Sequence, residues 1–191
     1  MKKILIGTHN KGKFKEIAYL ISKKYKKISP ASLQIKSPKE TGKSFVSNSK
    51  LKVNYFSKFV DYPVISDDSG LCIKALKNKP GIYSARLAKK HGGFSNAMKF
   101  ILKKMKKKLN RKATFICSLS YKSENKKIIT VEGKLKGKIS FKILGNKGFG
   151  YDPIFIPIKK KITFGQMSKL KKIKMDHRYI AFQKLKKKIN I

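Results

Sequence analysis

Apolar and polar residues follow two different periods along this chain, one typical of strands and one typical of helices. In the first half the two periods alternate along the chain. They predict strands at residues 3–7, 63–66 and 71–76 and helices at residues 13–25, 44–59 and 96–109. The middle is richer in strands, at residues 113–121, 127–134 and 139–143, and a last helix is predicted at residues 168–188. This order predicts a mixed α/β sheet with helices packed against it.

Polar and glycine-rich segments separate the predicted elements. The adjacent acids Asp67 and Asp68 are expected at a turn between two short strands. Loops are expected at residues 8–12, 80–86 and 145–150, and residues 123–125 should close an antiparallel pair of strands.

The length and the cysteine content limit the kind of protein. The 191 residues, 40% of them hydrophobic, suit one domain spanning residues 1–191. No apolar stretch approaches the ~20 residues that a membrane-spanning helix needs, and the apolar start is too short for an export signal. Cys72 and Cys117 occur in apolar runs, so we expect buried, reduced thiols and no zinc site. These features together favour a cytoplasmic protein that does not bind a membrane.

The chain is strongly basic, with 49 lysines and arginines against nine acids and a formal net charge of +40. Such a charge suggests nucleic acid or an anionic surface as a partner. Only three of the cations are arginines, which recognise base edges best, and the lysines are spread over the whole length. We interpret the excess as a general lysine bias, so specific nucleic-acid binding is not expected. The positive field should still attract polyanionic nucleotides to any cleft.

The few acidic residues are more informative than the many basic ones. Asp67 and Asp68 are adjacent, and side-by-side carboxylates repel each other unless a cation offsets their charge. Magnesium binds few protein carboxylates and keeps waters that substrate phosphates replace. Glu40 and Asp67 could therefore hold Mg²⁺ while Asp68 takes a proton from an attacking water. The alternative is a turn in which both aspartates cap local backbone amides.

A second group of candidate residues follows the first predicted strand. Thr8 and Asn10 precede Lys13, and a strand that opens into a turn and a helix presents backbone N–H groups to phosphate. The segment lacks the spacing of a Walker A loop, and lysine is common throughout the chain. Glu16 on the same helix is either a surface acid or a partner for cations at the site.

Two later segments offer groups that could bind a base. Phe149-Gly150-Tyr151-Asp152 combines an aromatic face, close backbone approach and a carboxylate; the alternative is a bulged strand with a core Phe and Tyr. Asp176-His177-Arg178 offers donors to the 6-carbonyl of hypoxanthine or xanthine, a group that adenine lacks. The alternative for this second segment is an exposed helix end.

Six motifs run in one order along nearly the whole chain: Thr8-x-Asn10-x-x-Lys13-x-x-Glu16, Glu40-Thr41-Gly42-x-Ser44-Phe45, Ser66-Asp67-Asp68-Ser69-Gly70-Leu71, Pro80-Gly81-Ile82-Tyr83-Ser84-Ala85-Arg86, Gly148-Phe149-Gly150-Tyr151-Asp152-Pro153-Ile154-Phe155, and Lys172 five residues before His177-Arg178. Together they resemble the Ham1-type inosine/xanthosine triphosphate pyrophosphatases. Each motif alone is modest, but six in register are very specific.

The resemblance implies both a fold and an activity. The fold would be an α/β structure with an elongated mixed central sheet, flanking helices and two lobes around a nucleotide-binding cleft. The activity would be magnesium-dependent hydrolysis of ITP, dITP and XTP to the monophosphate and pyrophosphate, by a homodimer. The implied roles are metal binding by Glu40 and Asp67, general base catalysis by Asp68, and nucleotide binding by Thr8, Asn10, Lys13, Ser69, Phe149, Gly150, Tyr151, Asp152, Lys172, His177 and Arg178.

Three residues depart from the family pattern. Ser47 and Gln166 stand where an acid is common, and both positions look peripheral. Asp176 stands where the family has Ser before His-Arg. Because a carboxylate only accepts hydrogen bonds, Asp176 could favour a purine edge that bears an N–H group.

Two other functions stay open at the level of sequence. The first is a nucleic-acid-binding protein that keeps a nucleotide-binding fold, and it is suggested by the charge of +40. The second is a pyrophosphatase of the related Maf-like kind, acting on pyrimidine or modified nucleotides. The absence of a Ser-Pro-Arg-Arg type of motif near the start disfavours the second function.

Overall fold

The structure is a computed structural model, and it describes residues 1–124 and 127–189. The strands within these residues are β1 (Lys2–Ile6), β2 (Tyr25–Ile28), β3 (Val64–Ile73), β4 (Lys79–Pro80), β5 (Lys112–Lys122), β6 (Ile128–Ile139) and β7 (Phe155–Pro157). The α-helices are α1 (Lys11–Leu20), α2 (Phe45–Phe56), α3 (Ser84–Lys90), α4 (Phe94–Met105), α5 (Lys169–Ile173) and α6 (His177–Lys186). No helix in the described ranges has the length and apolar character needed to cross a membrane.

The strands form one mixed sheet with the hydrogen-bonded order β2-β1-β3-β5-β6-β7, and β4 pairs with β3. β1 runs parallel to both β2 and β3. The pairs β3–β4 and β6–β7 are antiparallel. The mixed α/β sheet with flanking helices predicted from the sequence is therefore confirmed.

The chain divides into two compact units, each built from separate segments. Unit 1 contains Met1–Asp68, Cys117–Gly133 and Arg178–Ile191, and unit 2 contains Ser69–Ile116 and Lys134–His177. β3, β5 and β6 contribute residues to both units, so neither unit is a continuous stretch of chain. The single domain predicted over residues 1–191 stays a prediction.

Unit 1 buries β1 on both of its faces. Ile4 and Ile6 pack into one apolar cluster together with Ile17 of α1 and Leu185 of α6. Leu5 packs into a second cluster with Phe56 of α2. This burial on both faces explains why β1 is apolar at successive positions rather than at alternate ones.

Unit 2 has a core rich in aromatic residues. The ring of Phe115 on β5 lies 4.5 Å from that of Phe155 on β7, and Phe164 lies 5.6 Å from Phe155. α4 buries residues at helical spacing along one face: Ala97, Met98, Ile101 and Met105. Cys72 of unit 2 and Cys117 of unit 1 are buried and form no disulfide, as expected.

Three sequence predictions are wrong in ways that bear on the site. Asp67 and Asp68 do not lie at a turn, because β3 runs unbroken through both and all of it except Ser69 is buried. Residues 80–86 are not a loop, since a 3-10 turn at Gly81–Tyr83 leads directly into α3. The last helix is interrupted, and three residues separate the end of α5 at Ile173 from the start of α6 at His177.

Three other elements end at different residues from those predicted, and in one case the pairing of a strand explains the difference. α1 ends at Leu20 rather than residue 25, because Tyr25–Ile28 pairs with β1 as β2. α2 ends at Phe56 rather than residue 59, and the strand predicted at residues 139–143 is the end of β6, which stops at Ile139. The predicted turn at residues 123–125 includes Asn125, which lies outside the described residues.

Candidate active site

The junction of β1 and α1 in unit 1 brings the predicted phosphate residues together. Asn10 caps α1, and its Oδ1 accepts a hydrogen bond from Lys13 N at 3.0 Å. Asn10 N donates to Thr8 Oγ1 at 3.2 Å. A Cβ at Gly7 would collide with the Ser66 side chain and the Phe56 ring, so only glycine lets the chain leave β1 this close to β3. Thr8, Asn10 and Lys13 therefore surround the N-terminal end of a helix, where phosphate binds well.

Asp67 is fully buried and lies among cations. Lys13 Nζ is 3.1 Å from Asp67 Oδ2, and Arg178 Nε is 3.5 Å from the same oxygen. Burial raises the pKa of Asp67, but the charges of Lys13, Arg178 and Lys52 outweigh that effect and hold the pKa well below its usual range. Asp67 is therefore ionised at neutral pH, and it brings Lys13 and Arg178 together around one carboxylate.

Asp68, its neighbour on β3, has a different electrostatic environment. Burial raises the pKa of Asp68 to about 6; Lys13 lowers it, the nearby charge of Glu40 raises it, and a hydrogen bond from Asn48 lowers it. That bond runs from Asn48 Nδ2 to Asp68 Oδ2 at 3.0 Å. A carboxylate with a pKa near 6 is ionised at neutral pH, yet it is basic enough to accept a proton from water.

Two residues of α2, which the sequence interpretation did not assign to the site, position these carboxylates. Asn48 Oδ1 accepts a hydrogen bond from Gly42 N at 2.8 Å while its amide nitrogen holds Asp68. Lys52 Nζ donates to Asp67 O at 2.7 Å and lies 3.5 Å from Glu40 Oε1. Both residues are buried. Their four-residue spacing on the same helix as the buried Val53 and Phe56 is the signal that could have identified them.

The carboxylates of unit 1 can be tested for their fit to Mg²⁺. The described part of the chain contains no group of three or more His, Cys, Asp or Glu side chains that could hold a metal, but Mg²⁺ needs only one or two carboxylates beside water and phosphate. The Glu40 side chain is 30% exposed, and its charge and that of Asp68 disfavour each other. A divalent cation would remove that repulsion, whereas Asp67 is fully buried and already offset by Lys13 and Arg178. Glu40 and Asp68 therefore fit Mg²⁺ better than the predicted pair of Glu40 and Asp67.

The raised pKa of Asp68 predicts a pH-dependent gain in stability for Asp68→Asn. The unfolded-state value is near 3.8 and the folded value is about 6, so ionising Asp68 costs stability increasingly between these pH values and by a constant amount above them. The asparagine variant avoids this cost. Without metal it should unfold at the same denaturant concentration as the wild type at low pH and be more stable at pH 7.5, by about 2–3 kcal/mol.

Urea unfolding in a chelator at several pH values measures this difference. Adding Mg²⁺ should then stabilise the wild type and leave Asp68→Asn nearly unchanged, because a ligand stabilises only the protein that binds it. A variant that is less stable than the wild type at pH 7.5 would show that burial does not raise the pKa of Asp68.

Arg178, the second residue of α6, is buried and is not part of an exposed helix end. Its Nη1 donates to Glu16 Oε2 of α1 at 2.7 Å. Glu16 is 4% exposed and Arg178 is 3% exposed, so Glu16 is not a surface acid. The exposed helix end predicted as the alternative for Arg178 is therefore wrong, and so is the surface acid predicted as the alternative for Glu16. Glu16 pairs with Arg178, whose guanidinium also approaches Asp67.

Unit 2 brings together three of the residues predicted to bind the nucleotide. Lys172 Nζ is 2.5 Å from Asp152 Oδ2, and both side chains are 3% exposed. The same ammonium group lies 4.4 Å from the centre of the Phe149 ring. Phe149 N donates to Asp152 Oδ2 at 2.8 Å. The Asp152 carboxylate therefore holds both the turn that carries Phe149 and the ammonium group of Lys172. Gly148 and Gly150 on either side have positive φ angles of 76° and 68°, which favour glycine.

The remaining predicted residues of unit 2 are placed differently. The Tyr151 side chain belongs to the core: it is 2% exposed, its hydroxyl donates to Ser84 O at 2.9 Å, and its ring packs edge-on against Phe94. The core Tyr of the predicted alternative is therefore confirmed, but the bulged strand and the core Phe are not, since Phe149 is partly exposed and residues 148–151 form a turn. His177 is buried and stacks on Phe115 at 4.7 Å. Ser69 is the partly exposed residue that follows Asp68 on β3.

The three departures from the family pattern also have positions in the structure. Ser47 and Ser44 form a reciprocal capping box at the start of α2, and Gln166 and Thr163 do the same at a 3-10 turn. Neutral side chains thus perform the capping that an acid commonly provides. Asp176 is buried in the break between α5 and α6, where its backbone N donates to Lys172 O at 3.0 Å.

Comparisons with known proteins agree with this geometry. Residues 4–188 match the profile of the Ham1 family. The chain is 42% identical to a dITP/XTP pyrophosphatase of Dictyoglomus thermophilum, over 96% of this chain and 92% of that protein. It is 38% identical to a dITP/XTP pyrophosphatase of Caulobacter vibrioides, over 96% of each chain.

Solved structures give the same result for the fold. The Ham1 protein of Staphylococcus aureus superposes with a TM-score of 0.86 at 33% identity, over 97% of each chain. A HAM1 protein of Coxiella burnetii superposes with a TM-score of 0.87 at 29% identity, over 98% of each chain. With the profile matched over nearly its whole length and relatives matched end to end, the chain belongs to the Ham1 family.

Proposed function

We propose that this protein hydrolyses dITP, ITP and XTP to the corresponding monophosphate and pyrophosphate. The observation that carries the proposal is the arrangement in unit 1, where Asp67 and Asp68 lie beside Lys13, Lys52 and Arg178 at the start of a helix. Cations and helix N–H groups suit a triphosphate, and an ionised carboxylate of raised pKa suits a general base. The relatives named dITP/XTP pyrophosphatase support the same substrates.

Asp68 is the proposed general base. Its ionised carboxylate accepts a proton from a water that attacks the α-phosphorus, while the bond from that phosphorus to the bridging oxygen breaks and pyrophosphate leaves. Lys13 and Lys52 supply positive charge for the leaving group, as phosphoryl transfer requires. Asn48 keeps Asp68 in one orientation through the 3.0 Å hydrogen bond.

Magnesium is the proposed cofactor, held by Glu40 and Asp68 together with substrate phosphates. When bound, it would offset charge on the phosphates and orient them. In this proposal Asp67 does not bind the metal; it holds Lys13 and Arg178 in place. Base recognition is proposed for Phe149, Gly150, Asp152, Lys172 and His177, with Thr8, Asn10 and Ser69 binding phosphate.

Pyrophosphate release from dITP, ITP, XTP, dATP and dGTP, with and without Mg²⁺, tests the activity. We expect rapid release from the first three, far slower release from dATP and dGTP, and little release in a chelator. Equal rates for dITP and dATP would contradict the proposed selectivity, and undiminished release in a chelator would contradict the proposed cofactor.

A homodimer and a cytoplasmic location also remain proposals. The homodimer rests on the family resemblance, and the location rests on two buried cysteines that form no disulfide and on a nucleotide substrate. Because each chain carries a charge of +40, any self-association should strengthen as salt screens the repulsion. Light scattering at low and high salt would show a monomer in both conditions if the dimer proposal is wrong.

A further inference from the structure

The charges of unit 2 are distributed in a way that the proposed reaction does not explain. Unit 2 holds 26 of the 49 lysines and arginines but only two acids, Asp152 and Asp176. Those two carboxylates are 2% and 1% exposed. All residues of unit 2 lie within the described ranges, so its surface presents lysines and arginines and no carboxylate. A polyanion that approaches this surface meets attraction without local repulsion.

One groove of unit 2 concentrates these cations. It has a volume of about 620 Å³, and its floor includes Thr114 of β5, Gly137 of β6 and Ile156 of β7. None of its lining residues is acidic. Six exposed lysines line it: Lys74, Lys112, Lys136, Lys138, Lys159 and Lys160.

The strand geometry sets the spacing of part of this row. Lys136 and Lys138 lie two residues apart on β6, so their side chains leave the same face of the sheet with Cα atoms about 7 Å apart. Gly137 between them pairs with Pro157 of β7, and Ile158 N donates to Lys136 O at 2.9 Å. The pairing holds the two lysines on a rigid strand. A regular row of cations suits a chain of regularly spaced phosphates.

A second cavity, of about 690 Å³, continues the groove and shares Lys112, Lys138 and Ile156 with it. Here the ring of Phe141 is 84% exposed, and the Arg111 guanidinium lies 4.3 Å from its centre. Arg111 is itself fixed by backbone carbonyls, including Ile139 O at 2.7 Å. An aromatic ring supported on a fixed guanidinium is a platform on which an unpaired base can stack.

We propose that this groove, which we call the lysine groove, binds single-stranded nucleic acid independently of sequence. The lysines hold successive phosphates, and Phe141 stacks on a base. The exposed ring favours a single strand over a duplex, whose bases are already stacked on one another. Lysines without a row of arginines bind phosphate but do not read base edges, so binding should not depend on base sequence. None of the residues that line the two cavities is among those proposed for hydrolysis.

Fluorescence anisotropy of a labelled oligo-dT strand with the full-length protein tests the proposal. We expect Lys136→Glu/Lys138→Glu to weaken binding at least tenfold at low salt and to reduce the logarithmic salt slope by about 1.4, at about 0.7 per lost phosphate contact. The matched control is Lys103→Glu/Lys107→Glu, which makes the same charge change in the same unit, at an exposed position of α4 and at an exposed position of the turn that follows it. It should weaken binding less than about threefold, by loss of net charge alone.

A second variant tests whether the groove binds nucleic acid in particular or any chain of phosphates. Phe141→Ala should weaken oligo-dT binding about fivefold or more by loss of stacking and leave the affinity for inorganic polyphosphate unchanged. Equal losses in the two charge variants would overturn the proposal, because net charge alone would then explain binding. Unchanged oligo-dT affinity in Phe141→Ala would overturn it as well, in favour of phosphate chains in general.

Thermal melting of each variant verifies that it folds, and this check does not depend on the hydrolytic activity. If the charge-reversal variants do not fold, the same comparison can be made with neutral substitutions: Lys136→Gln/Lys138→Gln as the test and Lys103→Gln/Lys107→Gln as the control.

Discussion

Replacing Asp68 by asparagine is expected to lower kcat for dITP by roughly 10³-fold, within the range that a general base contributes. Asparagine keeps the shape of the side chain and can still accept the hydrogen bond from Asn48, but it cannot take a proton from water. Contacts of dITP with Lys13 and Lys52 should persist, but the KM should rise because Asp68 is also a proposed Mg²⁺ ligand; the loss of kcat should remain at saturating Mg²⁺ and dITP. Steady-state kinetics and calorimetric titration of dITP measure the two effects separately.

Two further variants make this prediction sharper. Asp61→Asn removes a carboxylate from an exposed position of unit 1 and should leave kcat within about twofold of the wild type. Glu40→Gln should raise the Mg²⁺ concentration needed for half-maximal rate, and excess Mg²⁺ should restore part of its activity. Excess Mg²⁺ should restore little in Asp68→Asn. Near-normal turnover in Asp68→Asn would show that another group accepts the proton.

Replacing Lys172 by methionine is expected to destabilise the protein by about 3–5 kcal/mol, because the buried carboxylate of Asp152 loses its cation. The two side chains are 3% exposed and 2.5 Å apart, so water cannot replace the lost partner. Asp152 also accepts a hydrogen bond from Phe149 N. The turn that carries Phe149 should therefore loosen, and the KM for dITP should rise. Urea unfolding and steady-state kinetics measure the two effects.

The neighbouring lysine provides the control for this second prediction. Lys171→Met removes the same charge from an exposed position of α5 and should change stability by less than about 0.5 kcal/mol. Adding Asp152→Asn to Lys172→Met removes the unpaired charge and should recover much of the lost stability. If Lys172→Met is as stable as the wild type, or if Lys171→Met is equally destabilised, the pair does not act as a buried ion pair.

The acids of this protein are concentrated where charge is needed inside the fold. Five of the nine are buried, namely Glu16, Asp67, Asp68, Asp152 and Asp176, and Glu40 lies near one of them, Asp68. Where an acid would only cap a helix, Ser47 and Gln166 take its place. A neutral side chain can cap a helix, but it cannot bind Mg²⁺, accept a proton from water or neutralise a buried lysine.

The sequence identified most residues of the site because short motifs preserve their spacing. The strand-to-helix turn with Thr8, Asn10 and Lys13 could be read directly, since local chain geometry places these residues together. The roles of Asn48 and Lys52 could not be read this way, because their contacts reach across 20 and 15 residues of sequence. A polar residue on a helix becomes part of a site only when packing turns that face inward.

The sequence by itself determined the mixed α/β class, the family and the set of candidate residues, because periodicity and motif spacing are local properties of the chain. Only the tertiary structure decided that Asp67 and Asp68 lie within one strand, and that they differ in pKa. It also decided that Tyr151 belongs to the core and that Glu16 pairs with Arg178. These outcomes depend on burial and on charges brought in from distant segments, and neither quantity can be read from neighbouring residues.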